Sequence, residues 1–156
     1  QEPFGGWWGR WGVDYIYGTW AVLAGLDELG IDKNTPIIQD AVHFLESIPN
    51  EDGGFGESLK SYDFDKFVPA PSSKSQTAWA LMGLIAGGKG DSRAAQRAAE
   101  YLIKTQNKNG SWSETHYTGT GFPGHFYLRY HGYPNYFSQL ALGQYAQHLK
   151  MPLRRS

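Results

Sequence analysis

Apolar positions along the chain recur with helical spacing in two kinds of segment. Ile37, Ala41, Phe44, Leu45 and Ile48 fall at i, i+4, i+7, i+8 and i+11, and Ala94, Ala98, Tyr101 and Leu102 repeat the first four steps. That spacing predicts amphipathic helices with one polar face. The segments upstream of them, about 17–29 and 75–87, are apolar around more of their circumference, as expected of helices buried between an outer layer and an interior. Gly30 and Gly87-Gly88 supply stop signals, while Thr35-Pro36 and Asp91-Ser92 supply starts. A last helix, about 135–149, presents Tyr136, Phe137, Leu140, Ala141 and Tyr145. The prediction is five helices and no strand, an all-α chain. The Pro- and Ser-bearing stretch between Gly56 and Ser75 reads as a solvated loop.

The helices belong to a repeat. Residues 40–55, ending in Gly53-Gly54-Phe55, align with residues 97–112, ending in Gly110-Ser111-Trp112, at an offset of 57. Upstream, residues 19–26 match 77–84 at an offset of 58, so a whole helix-pair unit recurs. Gln1 to Trp7 has the same Gln, Gly and Trp spacing as Gln106 to Trp112, but without a helix before it. Two and a half helix pairs would leave inner faces uncovered, which gives the expectation of a portion of a longer array.

Composition narrows the function. Six Trp, ten Tyr and eight Phe make 15% of the chain, accompanied by 20 Gly, which suggests tight turns or a cavity wall. A net charge of -1 with scattered cations excludes a dedicated nucleic-acid surface. Without Cys there is no disulfide framework or thiolate zinc site, and His43, His116, His125, His131 and His148 show no metal spacing, so no metal or cofactor is expected. No run reaches the roughly 20 apolar residues of a membrane span. Membrane contact would be peripheral.

The pattern Arg97-Ala-x2-Tyr101-Leu102-x3-Gln106-x3-Gly110-x-Trp112 closely resembles the QW motif of triterpene cyclases. Gln1 and Trp7 belong to a second copy, and Phe55 closes a degenerate third with Pro49 at the Gln position. The segments Arg10 to Thr19 and Gly119 to Leu128, the latter followed by residues 129–134, look like cavity segments of the squalene–hopene branch. The resemblance implies that residues 1–156 are the C-terminal portion of an α/α toroid, with upstream repeats missing. It also implies a role in the cation-driven cyclisation of squalene or a related polyprene. Trp11, Tyr17, Phe122, Phe126, Tyr130 and Tyr133 then become cavity rings, with Leu128 a steric wall. Further implications are peripheral attachment to the cytoplasmic side of a bacterial membrane, a possible homodimer, and dependence on the missing N-terminal part. His125 stands where the family often has an acid.

Aromatic faces suit this chemistry because they stabilise a carbocation without trapping it, each ring within about 6 Å contributing about 0.5 to 2 kcal/mol. The family's Asp-x-Asp-Asp proton donor is absent. Asp63-Phe64-Asp65-Lys66 resembles it, but Lys66 replaces the third acid. Other readings stay open. A carbohydrate-active α/α toroid would need paired carboxyls, for which Glu57, Asp63, Asp65 and Glu114 are the candidates. A helical scaffold would need a polar concave face. A protein prenyltransferase subunit would need a Cys ligand that the chain lacks.

Overall fold

The computed structural model describes residues 1–150. The architecture is mostly helical and alternates two layers. Inner helices α1 (Tyr15–Glu28), α4 (Lys74–Ala86) and α6 (Tyr133–His148) lie side by side, α4 between the other two. Outer helices α2 (Pro36–Ser47) and α5 (Arg93–Lys104) pack behind them. Short elements lie between: β1 (Phe55–Glu57), α3 (Lys60–Phe64), β2 (Pro69–Ser73), β3 (Gly119–Phe122) and β4 (Phe126–Leu128).

The outer helices are amphipathic as their spacing predicts. Ala94, Ala98, Tyr101 and Leu102 are buried, as are Ala41, Phe44 and Leu45. Ile37 is a correction: it is exposed and Ile38 takes its place in the core, because the buried stripe runs through Ile38, Ala41, Val42 and Leu45 at i, i+3, i+4 and i+7. Helix α4 buries eleven of its 13 residues and is the middle of the core.

The expectation of no strand is also corrected. β1 pairs antiparallel with β2, and β3 with β4, as two separate two-stranded ribbons. Glycine permits both. A Cβ on Gly56 would sit 2.1 Å from the Pro71 carbonyl oxygen, and Gly124, at φ +77°, closes the hairpin between β3 and β4. The stretch 56–75 is therefore not a solvated loop. It holds β1, α3 and β2, and Glu57, Ser61 and Ser73 within it are buried, while Asp63 to Lys66 stay exposed.

The recurrent sequence ending in an aromatic residue folds three times into the same turn. Gly5, Gly53 and Gly110 all have positive φ, and each donates its N–H to the carbonyl three residues back, on Glu2, Asn50 and Asn107. Each turn abuts the next outer helix where one follows: a Cβ on Gly5 would strike the Asp40 carbonyl of α2, and one on Gly53 the Arg97 carbonyl of α5. The two glutamines behave alike. Gln106 Nε2 donates to Gly110 O at 2.9 Å, and Gln1 Nε2 to Gly5 O at 2.8 Å, with a second bond from Gln1 to Ile37 O of α2. The helix end of α5 is capped by the ring instead, since buried Trp112 donates Nε1–H to the Leu102 carbonyl at 2.8 Å. Replacing Trp112 by Ala should lower stability by about 3 to 5 kcal/mol through the cavity it leaves. Trp112→Phe should cost about 1 to 3 kcal/mol by orphaning that carbonyl. Denaturant unfolding measures both, and an unchanged midpoint for Trp112→Ala would contradict the packing.

Candidate functional site

The segment from Trp7 to Asp14 has no regular structure of its own, so other elements must satisfy its backbone. Tyr62 on α3 sends its hydroxyl between the carbonyls of Gly9 and Gly12, at 2.8 and 2.9 Å. Val13 N–H donates to Thr118 O, Thr120 N–H to Trp11 O, and Gln76 Nε2 to Val13 O. Trp11 is thus held through its backbone against β3, with Gly12 and Gly119 bridged directly. Each of these two glycines lies beneath a ring: a Cβ would meet Tyr17 at 2.3 Å on Gly12 and Tyr130 at 2.6 Å on Gly119.

The rings form two clusters. Phe122 and Phe126 meet edge-on with centroids 5.7 Å apart, and the Arg10 guanidinium lies 5.9 Å over Phe122 and 5.0 Å over Trp11. In the second cluster, Tyr130 stacks on Tyr133 at 4.4 Å. Tyr133 packs on Trp79 at 6.0 Å and Phe137 at 5.0 Å, and Tyr17 on Trp79 at 5.0 Å and Trp20 at 5.7 Å. Leu128 is half-buried on β4, and His125 is exposed at the hairpin tip, its Nδ1 3.1 Å from Pro123 O. Trp11 and Phe122, both 55% exposed, and Phe126, 47% exposed, make an open wall. A separate open groove of about 460 Å³ is lined by Trp20, Met82, Ile85, Gln144 and His148 among others.

Sequence reasoning named Trp11, Tyr17, Phe122, Phe126, Tyr130 and Tyr133 and missed Arg10, Trp20, Trp79 and Phe137. Trp20 and Trp79 were legible as one Trp in each of the two aligned repeat units, one position out of register with each other. Trp79 is fully buried, and its Nε1 has no partner among the described residues.

Two of the four carboxyls considered for paired acid catalysis, Glu57 and Glu114, have other duties. Glu57 is buried at the start of α1, where Oε2 accepts from Asp14 and Ile16 N–H at 3.1 and 3.0 Å and Oε1 from Tyr15 N–H at 3.1 Å. Glu114 accepts from the N–H and hydroxyl of Ser75 at 2.9 and 2.8 Å. Neither is free to flank a scissile bond. Burial pushes the Glu57 carboxyl up, against the pull of the Ile16, Asp14 and Tyr15 N–H groups and the Ser61 hydroxyl. Asp14, also buried, has one donor, Gly9 N–H at 3.0 Å on Oδ1, and no partner for Oδ2 among the described residues. It is pushed up to about 8 by burial, with the Gly9 N–H opposing and the charges of Glu57, Asp65 and Glu2 adding. Asp14 has one N–H donor where Glu57 has three, so less opposes the effect of burial on it. Among the described residues no group of three or more His, Asp or Glu lies together as a metal site, and no helix is long and apolar enough to cross a membrane.

A mostly helical chain in two layers, with rings clustered near the starts of its inner helices and on the β3–β4 ribbon, is the class that the fold defines. The sequence profile of the squalene-hopene cyclase C-terminal domain matches residues 1–147, and the chain belongs to that family. It is 52% identical over 147 residues to the squalene–hopene cyclase of Bradyrhizobium diazoefficiens, covering 93% of this chain and 22% of that protein. Against the squalene–hopene cyclase of Alicyclobacillus acidocaldarius it is 51% identical over 148 residues, covering 94% of this chain and 24% of that one. The dammaradiene synthase of Dryopteris crassirhizoma is 40% identical over 165 residues, covering 96% and 24%. The chain thus spans about a quarter or less of the length of these relatives.

The Asp14 carboxyl gives a pH test. Unfolded, it titrates near 3.8, and folded near 8, so the folded state holds a proton that the unfolded state has released between those values. Stability therefore falls as pH rises from about 4 to about 8 and is level above. Asp14→Asn should raise the melting temperature by several degrees at pH 8 and by little at pH 4. Equal gains at both would show that Asp14 is ionised in the fold.

Proposed function

We propose that this chain is the C-terminal portion of a squalene–hopene-type cyclase and supplies aromatic wall for the cation-driven cyclisation of squalene or a related polyprene. The observation that carries this is the pair of ring clusters, Phe122 with Phe126 and Tyr130 through Trp79 to Trp20, with Asp14 and Glu57 buried and turned to backbone N–H groups. Protonation of a terminal alkene leaves a carbocation, each neighbouring double bond attacks it to form a new C–C bond, and the charge moves along the chain. A ring face lowers the energy of that charge without forming a bond to it. A free carboxylate would intercept it or remove a proton early. The Arg10 guanidinium over Trp11 and Phe122 occupies the kind of position in which such faces attract positive charge.

In this reading Trp11, Tyr17, Phe122, Phe126, Tyr130 and Tyr133 face substrate and Leu128 limits its shape. The three recurrent turns are QW motifs of an α/α toroid, built on Gln1, Trp7, Phe55, Gln106, Gly110 and Trp112. The proton donor comes from the part of the cyclase outside this chain. Peripheral attachment to the cytoplasmic face of a bacterial membrane, and pairing into a homodimer, suit an enzyme whose substrate dissolves in lipid. Liposome flotation and sedimentation test these two. The carbohydrate reading is weakened because Glu57 and Glu114 are engaged by helix starts.

The decisive experiment replaces Phe126 by Ala in the full-length cyclase and analyses the squalene products by gas chromatography and mass spectrometry. Incompletely cyclised products should rise several-fold, because a less stabilised cation loses its proton before the next ring closes. A wild-type product profile would remove Phe126 from the wall.

A further inference from the structure

The acid two residues beyond the aromatic residue recurs with the repeat. Glu57 follows Phe55, and Glu114 follows Trp112. In both copies the aromatic residue's own N–H reaches forward to the next inner helix: Phe55 to Thr77 Oγ1 of α4 at 2.9 Å, and Trp112 to Asn135 Oδ1 of α6 at 2.8 Å. Two residues later the carboxylate reaches back to the preceding inner helix, Glu57 to α1 and Glu114 to α4. Each segment thereby stitches two consecutive inner helices at their N-terminal ends. Trp7 N–H makes the forward bond as well, to Thr19 Oγ1 of α1 at 3.0 Å, with Gly9 at the position of the acid.

These joined ends carry rings. Tyr17 is the third residue of α1 and Tyr133 the first of α6, with Trp79 between them on α4. Helix α1 has no cap from its own N-cap residue, since Asp14 turns its side chain back to Gly9. Glu57, 4% exposed, takes the first-turn N–H groups in its place, where a carboxylate is also favoured by the helix dipole. Its own N–H is fixed by Gln76 Oε1 at 2.9 Å, so the position of α1 is set from α4.

Resting on the cyclase reading, we propose that Glu57 is a positioning residue for the cyclisation: by holding the first turn of α1 it fixes where Tyr17 stands relative to Trp79 and Tyr133. A helix that slips by one residue moves its side chains about 1.5 Å along the axis and turns them by about 100°. A ring near the limit of cation–π reach loses its effect over such a distance.

The test uses the full-length cyclase with Glu57→Gln, which places an amide N–H₂ against backbone donors, and Glu57→Asp, which keeps the charge on a shorter arm. Three quantities are measured: the ratio of incompletely to fully cyclised product, kcat against KM, and hydrogen exchange at the amides of Tyr15 and Ile16. Glu57→Gln should speed that exchange while α4 keeps its protection, lower kcat with little change in KM, and raise the incompletely cyclised fraction several-fold. Glu57→Asp should recover part of each, and it carries the test if the Gln variant does not fold. An unchanged product ratio in the variants overturns the role, whether total activity is kept or is lost together with stability, since the second pattern is that of a purely structural group. A wild-type enzyme that makes no cyclic product from squalene overturns the cyclase reading itself and this role with it.

Discussion

Helix α4 has no side to give to water, and its neighbours are arranged by that fact. Eleven of its 13 residues are buried, so inner helices flank it on two sides and outer helices cover its back. Its first residues are polar, and burying them unpaired would cost about 1 to 3 kcal/mol each. Ser75 is therefore met by Glu114, Gln76 by Ser73, Val13 and Glu57, and Thr77 by Phe55 and Ser73. These partners lie in the irregular segments, and in pairing with α4 they acquire fixed places. The two ribbons and the buried part of 56–75 follow from the same requirement.

The ring series inherits its rigidity from this centre unevenly. Trp79 is enclosed by Tyr17, Trp20, Tyr133 and Phe137, each ring restrained by the next. Trp11, Phe122 and Phe126 are instead held mainly through their backbones, by Tyr62 and the Gly12–Gly119 bridge, and leave much of their faces open. The rings are thus fixed at the Trp79 end and open at the Phe122 end.

Asp14 and Glu57 are both buried, one with a single N–H donor and its carboxyl pushed up by burial, the other facing helix-start N–H groups. The charged group beside the open rings is Arg10.

Much of this was legible in the sequence, for local reasons. The 3.6-residue periodicity of 37–48 and 94–102, the Gly stops and the Ser and Thr starts give the helices, because these are properties of single elements. Repetition of the Gln, Gly and aromatic positions gives the turns, since Gly5, Gly53 and Gly110 need positive φ wherever they fold. The ribbons were not legible in the same way. β1 and β2 are short, Gly- and Pro-bearing pieces whose pairing depends on Gly56 admitting the Pro71 carbonyl across the fold. Glu57 and Glu114 were visible as acids at one offset, yet nothing local distinguishes a solvated turn acid from one that closes a helix about 40 residues earlier in the chain. Sequence determined which residues would be helical, which turns would recur and which rings were available. Tertiary packing around α4 decided which polar groups went inside with partners, and so which rings came to stand together, because both depend on contacts between segments that only folding brings within reach.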